Sequence, residues 1–165
     1  MAAGVVCRSR SADQTREIGE TVGTLLRPGD VVALSGDLGA GKTCFVQGAA
    51  RALGVKARVT SPSFILMREY EGDLTVVHLD VYRLDNVQEL LDIGFEELLD
   101  PSRVMFIEWG DAVSRVLPES HLDVDVRLDP SEEDSRLIEL RATGAAWLPR
   151  AADLERLTEP WRGAA

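Results

Sequence analysis

The segment from Gly36 to Thr43 combines three glycines, a lysine and a threonine at fixed spacing. It reads Gly-Asp-Leu-Gly-Ala-Gly-Lys-Thr and matches the G-x-x-x-x-G-K-[ST] pattern of phosphate-binding loops. Glycines let the backbone turn sharply, so that successive N–H groups can surround an anion. Lys42 is placed to reach the β- and γ-phosphates of a nucleotide, and the Thr43 hydroxyl is placed to ligate Mg²⁺. The segment therefore predicts a nucleotide-phosphate site.

The segments on either side of this loop separate that prediction from its alternative, a glycine-rich turn that binds nothing. Asp30–Ser35 is a short apolar run, which is typical of a buried strand. Lys42–Leu53 contains one glycine and no proline before the stop signal Gly54, which predicts a helix. The N-terminus of such a helix faces the phosphates. Because strand, loop and helix follow in the required order, we favour the phosphate site.

Two apolar runs further along the chain each end in an acid. Val76–Asp80 reads Val-Val-His-Leu-Asp, and Val104–Glu108 reads Val-Met-Phe-Ile-Glu. Ligands of mainly parallel sheets bind beyond the carboxyl ends of the strands, so both acids are placed to lie near the γ-phosphate. Carboxylates suit a hard metal ion or its waters, and either acid could orient a water molecule. The alternative is that each acid merely ends a strand at the surface.

The order of hydrophobic patterns predicts an α/β fold. We expect a P-loop NTPase-like, mainly parallel sheet flanked by helices, with antiparallel strands toward the C-terminus. Further strands are predicted at Val5–Ser9, Phe64–Tyr70, Leu74–Val81, Arg103–Trp109, Leu122–Leu128 and Ser135–Arg141. Further helices are predicted from Ser11 or Asp13 to Leu26, over Val87–Leu99 with a break at Gly94, and over Asp111–Leu117.

Length and composition indicate how the chain is divided into domains. A chain of 165 residues is long enough for one domain, which we place at residues 1–142. Residues 143–165 are rich in alanine with scattered proline and tryptophan. We therefore expect a loosely held tail there, with a short helix at Ala151–Leu157.

Charge and hydropathy limit the classes of partner. The formal net charge of −10 argues against unaided binding to a nucleic-acid backbone, because phosphate repulsion opposes association. It fits a protein that meets basic partner surfaces, or one that charge merely keeps in solution. No apolar stretch approaches the roughly 20 residues that span a bilayer. We expect a cytoplasmic protein without a membrane partner, with Cys7 and Cys44 as reduced thiols.

Four segments taken together resemble one protein family. They are the loop Gly36–Thr43, the Thr-Ser-Pro-Ser-Phe segment Thr60–Phe64, the His-Leu-Asp-Val-Tyr-Arg-Leu segment His78–Leu84, and Ile107–Trp109. The loop alone is shared by many nucleotide hydrolases, but the four in this order and spacing resemble the TsaE family, also called YjeE. The resemblance extends over roughly residues 11–142, most of the chain.

The resemblance implies a function. TsaE-like proteins are small bacterial P-loop ATPases that act with TsaB and TsaD in making threonylcarbamoyladenosine (t6A) in tRNA. A member of this family is expected to hydrolyse ATP with Mg²⁺ in the TsaB–TsaD assembly, which resets the complex between turnovers. It is expected to meet tRNA only through that assembly, and to be weakly active alone and stimulated by its partners.

The resemblance also implies roles for particular residues. The ATP phosphates are expected to contact Asp37, Leu38, Gly39, Ala40, Gly41, Lys42 and Thr43. Mg²⁺ is expected on Thr43 and Glu108. The expected catalytic residues are Lys42, which neutralises charge, and Asp80, a catalytic or water-orienting acid. Thr15 is expected near the adenine.

Other interpretations stay open on the sequence. The chain could be a stand-alone small-molecule kinase, although it carries no arginine cluster for a lid, or a nucleotide-dependent regulatory switch, although it lacks an Asn/Thr-Lys-x-Asp segment for guanine. His78 lies on the same side of its strand as Asp80, so it either supports Asp80 or is a core-edge histidine. Thr60–Phe64 is either a moving switch or a rigid connector.

Overall fold

The computed structural model of the protein describes residues 2–37, 39–62, 67–81, 87–92, 94–108 and 114–162. The strands in these ranges are β1 Ala2–Ser9, β2 Val31–Ser35, β3 Met67–Tyr70, β4 Thr75–Asp80, β5 Arg103–Glu108, β6 His121–Leu128 and β7 Arg136–Thr143. The α-helices are α1 Ala12–Gly23, α2 Lys42–Ala52, α3 Val87–Asp92, α4 Phe95–Leu98 and α5 Ala151–Leu157. None of these helices has the length and hydropathy to cross a bilayer.

The strands form one seven-stranded sheet in the order β1-β7-β6-β2-β5-β4-β3. The four central strands, β6, β2, β5 and β4, pair in parallel. Antiparallel strands complete both edges, β3 beside β4 on one side and β7 followed by β1 on the other. The predicted α/β fold is confirmed, but only the four central strands are parallel, and antiparallel strands lie at both edges of the sheet rather than only toward the C-terminus. β1 covers the edge that β7 would otherwise leave unpaired.

Local signals in the sequence set several element boundaries. Ser11 rather than Asp13 caps α1, because its Oγ accepts a 3.1 Å hydrogen bond from the backbone N–H of Gln14. Gly94 separates α3 from α4 in the left-handed conformation, as the predicted break requires. Residues 114–117 form turns and a bend where a helix was predicted, so that prediction is wrong in its described part. Residues 63–66 and 109–113 of the predicted elements lie outside the described residues.

Two apolar layers cover the two faces of the sheet. On one face, Phe106 of β5 and Val124 of β6 belong to a core cluster with Phe45 of α2 and residues of α1 and α5. On the other face, Val77 and Ile107 cluster with residues of α3 and α4. Successive side chains on a strand point to opposite faces. Helix α2 therefore meets only one alternating set of strand side chains.

Helices α1 and α2 pack backbone against backbone. A Cβ built on Gly48 would lie 1.9 Å from the carbonyl oxygen of Arg16, and one built on Gly19 would lie 2.2 Å from that of Phe45. A helix backbone cannot give way by such distances, so no larger side chain fits. Gly48 lowers the intrinsic helix propensity of α2 but fixes how closely α2 lies against α1.

The C-terminal segment is not the loosely held tail that composition suggested. Trp147 is fully buried, and Arg150 makes a bidentate ion pair with Asp30 at 2.6 and 2.9 Å. Arg150 also donates to the Leu25 carbonyl at 2.9 Å, and its guanidinium lies 3.8 Å from the Trp147 ring centroid. The expectation failed because composition does not reveal a partner 120 residues away. The predicted helix at Ala151–Leu157 is confirmed.

We predict that Arg150→Ala lowers the free energy of unfolding by about 3 kcal/mol, because it leaves a buried carboxylate unpaired. Arg156→Ala is the matched control on the same segment, since the Arg156–Asp153 pair is largely exposed, and it should change stability by less than about 0.5 kcal/mol. Urea unfolding of both variants measures the difference. Equal, small changes would show that the tail does not stabilise the domain.

Candidate nucleotide site

The glycine-rich loop joins the end of β2 to the start of α2, as the sequence predicts. β2 ends at Ser35, and α2 begins at Lys42. Gly36 has a φ angle of 134°, and a Cβ built on it would lie 2.1 Å from the carbonyl oxygen of Val126 on β6. Only glycine permits this conformation and this approach. The loop therefore leaves the sheet in contact with the neighbouring strand.

The side chain of Lys42 turns back over the loop. Its Nζ donates to the carbonyl oxygens of Gly36 at 2.6 Å and Asp37 at 3.1 Å, and the residue is only 5% exposed. The ammonium group is thus held inside the turn, where an anion in the loop would meet it. Leu38, another predicted phosphate contact, lies outside the described residues.

Thr43, the next residue of α2, reaches the acid at the end of β5. Its Oγ1 donates to Oε1 of Glu108 at 3.3 Å. Glu108 is 3% exposed and pairs in register with Leu34 of β2. The parallel register therefore carries the β5 acid to the first turn of α2. The two residues predicted to hold Mg²⁺ are adjacent.

Asp80, the other predicted acid, lies directly across from Glu108. The two residues are register partners on the parallel strands β4 and β5. Val76 of β4 and Phe106 of β5 belong to the core cluster on the α2 face, so alternation places Asp80 and Glu108 on that face as well. Asp80 is 5% exposed. Neither acid merely ends a strand at the surface.

His78 contacts Glu108. Its Nε2 lies 2.9 Å from Oε2 of Glu108, and the imidazole is fully buried. The sequence placed His78 on the correct face but left it as either a support for Asp80 or a core-edge histidine. Its partner is the acid on the neighbouring strand. Glu108 lies two residues beyond Phe106, the register partner of His78, and therefore on the same face of the sheet.

Thr15, the predicted adenine neighbour, lines a cavity of about 400 Å³ beside the loop, together with Gly39, Ala40 and Gly41. Its hydroxyl lies 2.7 Å from the Ser9 hydroxyl and is buried. Its methyl group faces the loop, since a Cβ built on Gly41 would lie 3.9 Å from it. Any contact of Thr15 with a bound molecule here would therefore be apolar.

Arg136 is a residue of this cavity that sequence analysis missed. It lies at the start of β7, and its Nε donates to the carbonyl oxygen of Ala40 at 2.9 Å. A second nitrogen, Nη1, donates to the carbonyls of Glu133 and Ser135. Arg136 thereby ties the glycine-rich loop to the start of β7. A lone arginine at a strand start gives no sequence signal for such a role.

A larger cavity of about 710 Å³ reaches the loop from the opposite face of the sheet. It contacts Gly36 and Asp37, but its lining also includes Asp123, Asp125 and Glu139. Carboxylates repel phosphate groups. The smaller cavity is lined by two arginines, Arg10 and Arg136, and by one carboxylate, Asp134. Its charge therefore suits phosphate groups better than that of the larger cavity.

Comparison with known proteins shows which family the chain belongs to. The family model described as "Threonylcarbamoyl adenosine biosynthesis protein TsaE" matches residues 9–138. A Treponema pallidum protein named tRNA threonylcarbamoyladenosine biosynthesis protein TsaE is 47% identical over 74% of this chain and 90% of its own. A Bacillus subtilis protein of the same name is 34% identical over 90% of this chain and 92% of its own.

A solved structure shares the fold. The crystal structure of Bacillus subtilis YdiB superimposes with a TM-score of 0.80 and 30% sequence identity, covering 94% of this chain and 97% of that one. Fold and site define an α/β protein whose strand–loop–helix unit lies at the carboxyl ends of the parallel central strands of a mixed sheet. The chain belongs to the TsaE family.

We predict that Gly36→Ala lowers the stability of the protein more than Gly39→Ala does. A Cβ at Gly36 meets the Val126 carbonyl, whereas one at Gly39 meets nothing within 4 Å. Both positions have positive φ, which costs a non-glycine residue about 1–2 kcal/mol, and overpacking adds about 1–3 kcal/mol at Gly36 alone. Thermal unfolding of the two variants measures this difference. Equal losses of stability would contradict the close packing on β6.

Proposed function

We propose that this protein is the Mg²⁺-dependent ATPase subunit of the machinery for threonylcarbamoyladenosine modification of tRNA. It works in the cytoplasm with TsaB and TsaD and hydrolyses ATP to reset their complex. One observation carries the enzymatic part of the proposal: the first turn of α2 brings Thr43 within 3.3 Å of Glu108, with Lys42 over the loop and Asp80 across the strand pair. Family membership supports the pathway.

The oxygen atoms of Thr43 and Glu108 suit Mg²⁺, which prefers hard oxygen ligands and is usually bound by one or two protein groups plus substrate phosphates. In the described part of the chain, no group of three or more His, Cys, Asp or Glu residues could hold a metal ion by itself. This ligand set favours an ion that arrives with a nucleotide. When bound, Mg²⁺ would neutralise charge on the phosphates.

Other groups of the protein would bind the phosphates, the attacking water and the base. The backbone from Asp37 to Thr43 would surround the phosphates, and the Lys42 ammonium would move from the loop carbonyls to phosphate oxygens. Asp80 would orient the attacking water; its position beside Glu108, on the sheet face that α2 covers, supports this role. The cavity lined by Thr15 and Gly41 would take the base.

The experiment that tests this proposal separates ATP binding from turnover. Lys42→Ala should lower ATP affinity by roughly 10- to 100-fold, because it removes charge-assisted hydrogen bonds to phosphate. Asp80→Asn should preserve affinity within about threefold and lower turnover by about 10²- to 10⁴-fold, the range of general acid–base effects. Calorimetric titration measures affinity, and phosphate release in the presence of TsaB and TsaD measures turnover.

Two variants serve as controls for that experiment. Lys56 is the other lysine of the chain and is exposed, and Asp153 is an exposed acid on α5. Lys56→Ala and Asp153→Asn should leave ATP affinity and turnover unchanged. A loss of affinity in Asp80→Asn as large as that in Lys42→Ala would make Asp80 a ligand of the nucleotide or its metal. An unchanged ATP affinity of the Lys42→Ala variant would reject the proposed nucleotide site.

A further inference from the structure

The Glu108 carboxylate is held from two sides. Thr43 donates to its Oε1 at 3.3 Å, and the Nε2 of His78 lies 2.9 Å from its Oε2. Both His78 and Glu108 are at most 3% exposed. The two oxygens of one carboxylate are therefore engaged by different elements, α2 and β4, and the orientation of the carboxylate plane depends on both.

We propose that His78 is a positioning residue that orients Glu108 toward the metal carried by a bound nucleotide. The inference rests on the proposed Mg²⁺-nucleotide site. It assigns His78 no contact with the nucleotide or with the metal. His78 acts by donating one hydrogen bond to Oε2, which leaves Oε1 directed to Thr43 and to the start of α2.

The surroundings of the imidazole fix which nitrogen carries the proton. Nδ1 of His78 is buried and has no hydrogen-bond partner among the described residues. A proton on Nδ1 would leave that N–H unsatisfied, and two acceptors, Nε2 and Oε2, would then face each other at 2.9 Å. A proton on Nε2 instead makes one buried hydrogen bond to a carboxylate. His78 is therefore a donor to Glu108.

A purely space-filling role does not account for this arrangement. The neighbouring positions on the same face are the apolar residues Val76 and Phe106. In comparison, burying a polar ring whose Nδ1 has no partner among the described residues is unfavourable. Mg²⁺ requires near-octahedral geometry, so a ligand carboxylate with a fixed orientation is an advantage. Groups that hydrogen-bond to metal ligands typically change metal affinity by about 10- to 100-fold when removed.

The test uses binding rather than hydrolysis. Mg²⁺ is titrated calorimetrically into the full chain saturated with a non-hydrolysable ATP analogue, and analogue affinity is also measured in EDTA. His78→Asn, whose amide is too short to reach Oε2, should weaken Mg²⁺ binding about 10- to 100-fold and leave the affinity in EDTA unchanged. His78→Gln, whose amide can take the place of Nε2, should stay within a few-fold of the natural protein. His121→Gln on β6 is the control and should change neither value.

A double-mutant cycle shows whether His78 acts through Glu108. In the Glu108→Gln background, His78→Asn should produce no further loss of Mg²⁺ affinity, because the group it orients is already altered. Additive losses would overturn the inference, and so would equal Mg²⁺ affinities of His78→Asn and His78→Gln. Thermal unfolding checks that each variant is folded, and the Gln variant remains informative if the Asn variant is not.

The same titration separates this inference from the proposed function. If the natural protein binds the analogue equally well with and without Mg²⁺, the metal site itself is wrong, and both proposals fall. If the natural protein binds Mg²⁺ with the analogue but His78→Asn binds it equally well, only the role of His78 is wrong.

Discussion

The parallel register of β2, β5 and β4 is the constraint on which the site depends. It places Leu34, Glu108 and Asp80 side by side at the carboxyl ends of these strands, where the glycine-rich loop begins. A shift of one residue in β5 would turn Glu108 to the α3 and α4 face, away from Thr43. The apolar residues that fill both faces of these strands therefore also determine the chemistry at their ends.

The site also depends on the position of α2 relative to the sheet. Gly48 and Gly19 allow α2 to lie directly on the backbone of α1, which sets where its first turn meets the sheet. At the other end of the loop, Gly36 lies against β6, and Arg136 of β7 holds the Ala40 carbonyl. The loop is thus fixed by elements on both sides. Such an arrangement presents its backbone groups in one orientation, as an electrostatic site requires.

The sequence predicts the parts of the site that local patterns encode. The strand and helix that flank the loop, and the acids that end β4 and β5, follow from spacing and hydropathy, and these elements end and begin where the sequence predicts. The partner of His78 could not be predicted because it depends on the register between β4 and β5. The docking of the tail was missed for the same physical reason, since Arg150 meets Asp30 only after the chain has folded.

The C-terminal segment is likewise held by contacts between residues that are far apart in the sequence. Arg150 bonds to Leu25 and Asp30, which lie between α1 and β2, the two elements that precede the phosphate loop. Composition alone cannot distinguish such a segment from a disordered one, because the contacts that anchor it, among them the buried ion pair of Arg150 and the burial of Trp147 and Leu154, form only in the folded chain. The described residues after 142 therefore pack onto the domain, although the sequence predicts that the domain ends at residue 142.

The proposed function is tested most directly by the rate of phosphate release from Mg²⁺-ATP by the purified chain, alone and with purified TsaB and TsaD. We expect slow release by the chain alone and a large increase, of up to about 10³-fold, when both partners are added. The increase should disappear in EDTA. Turnover that is unchanged by the partners, or that persists without Mg²⁺, would contradict a partner-stimulated, metal-dependent ATPase built on Thr43 and Glu108.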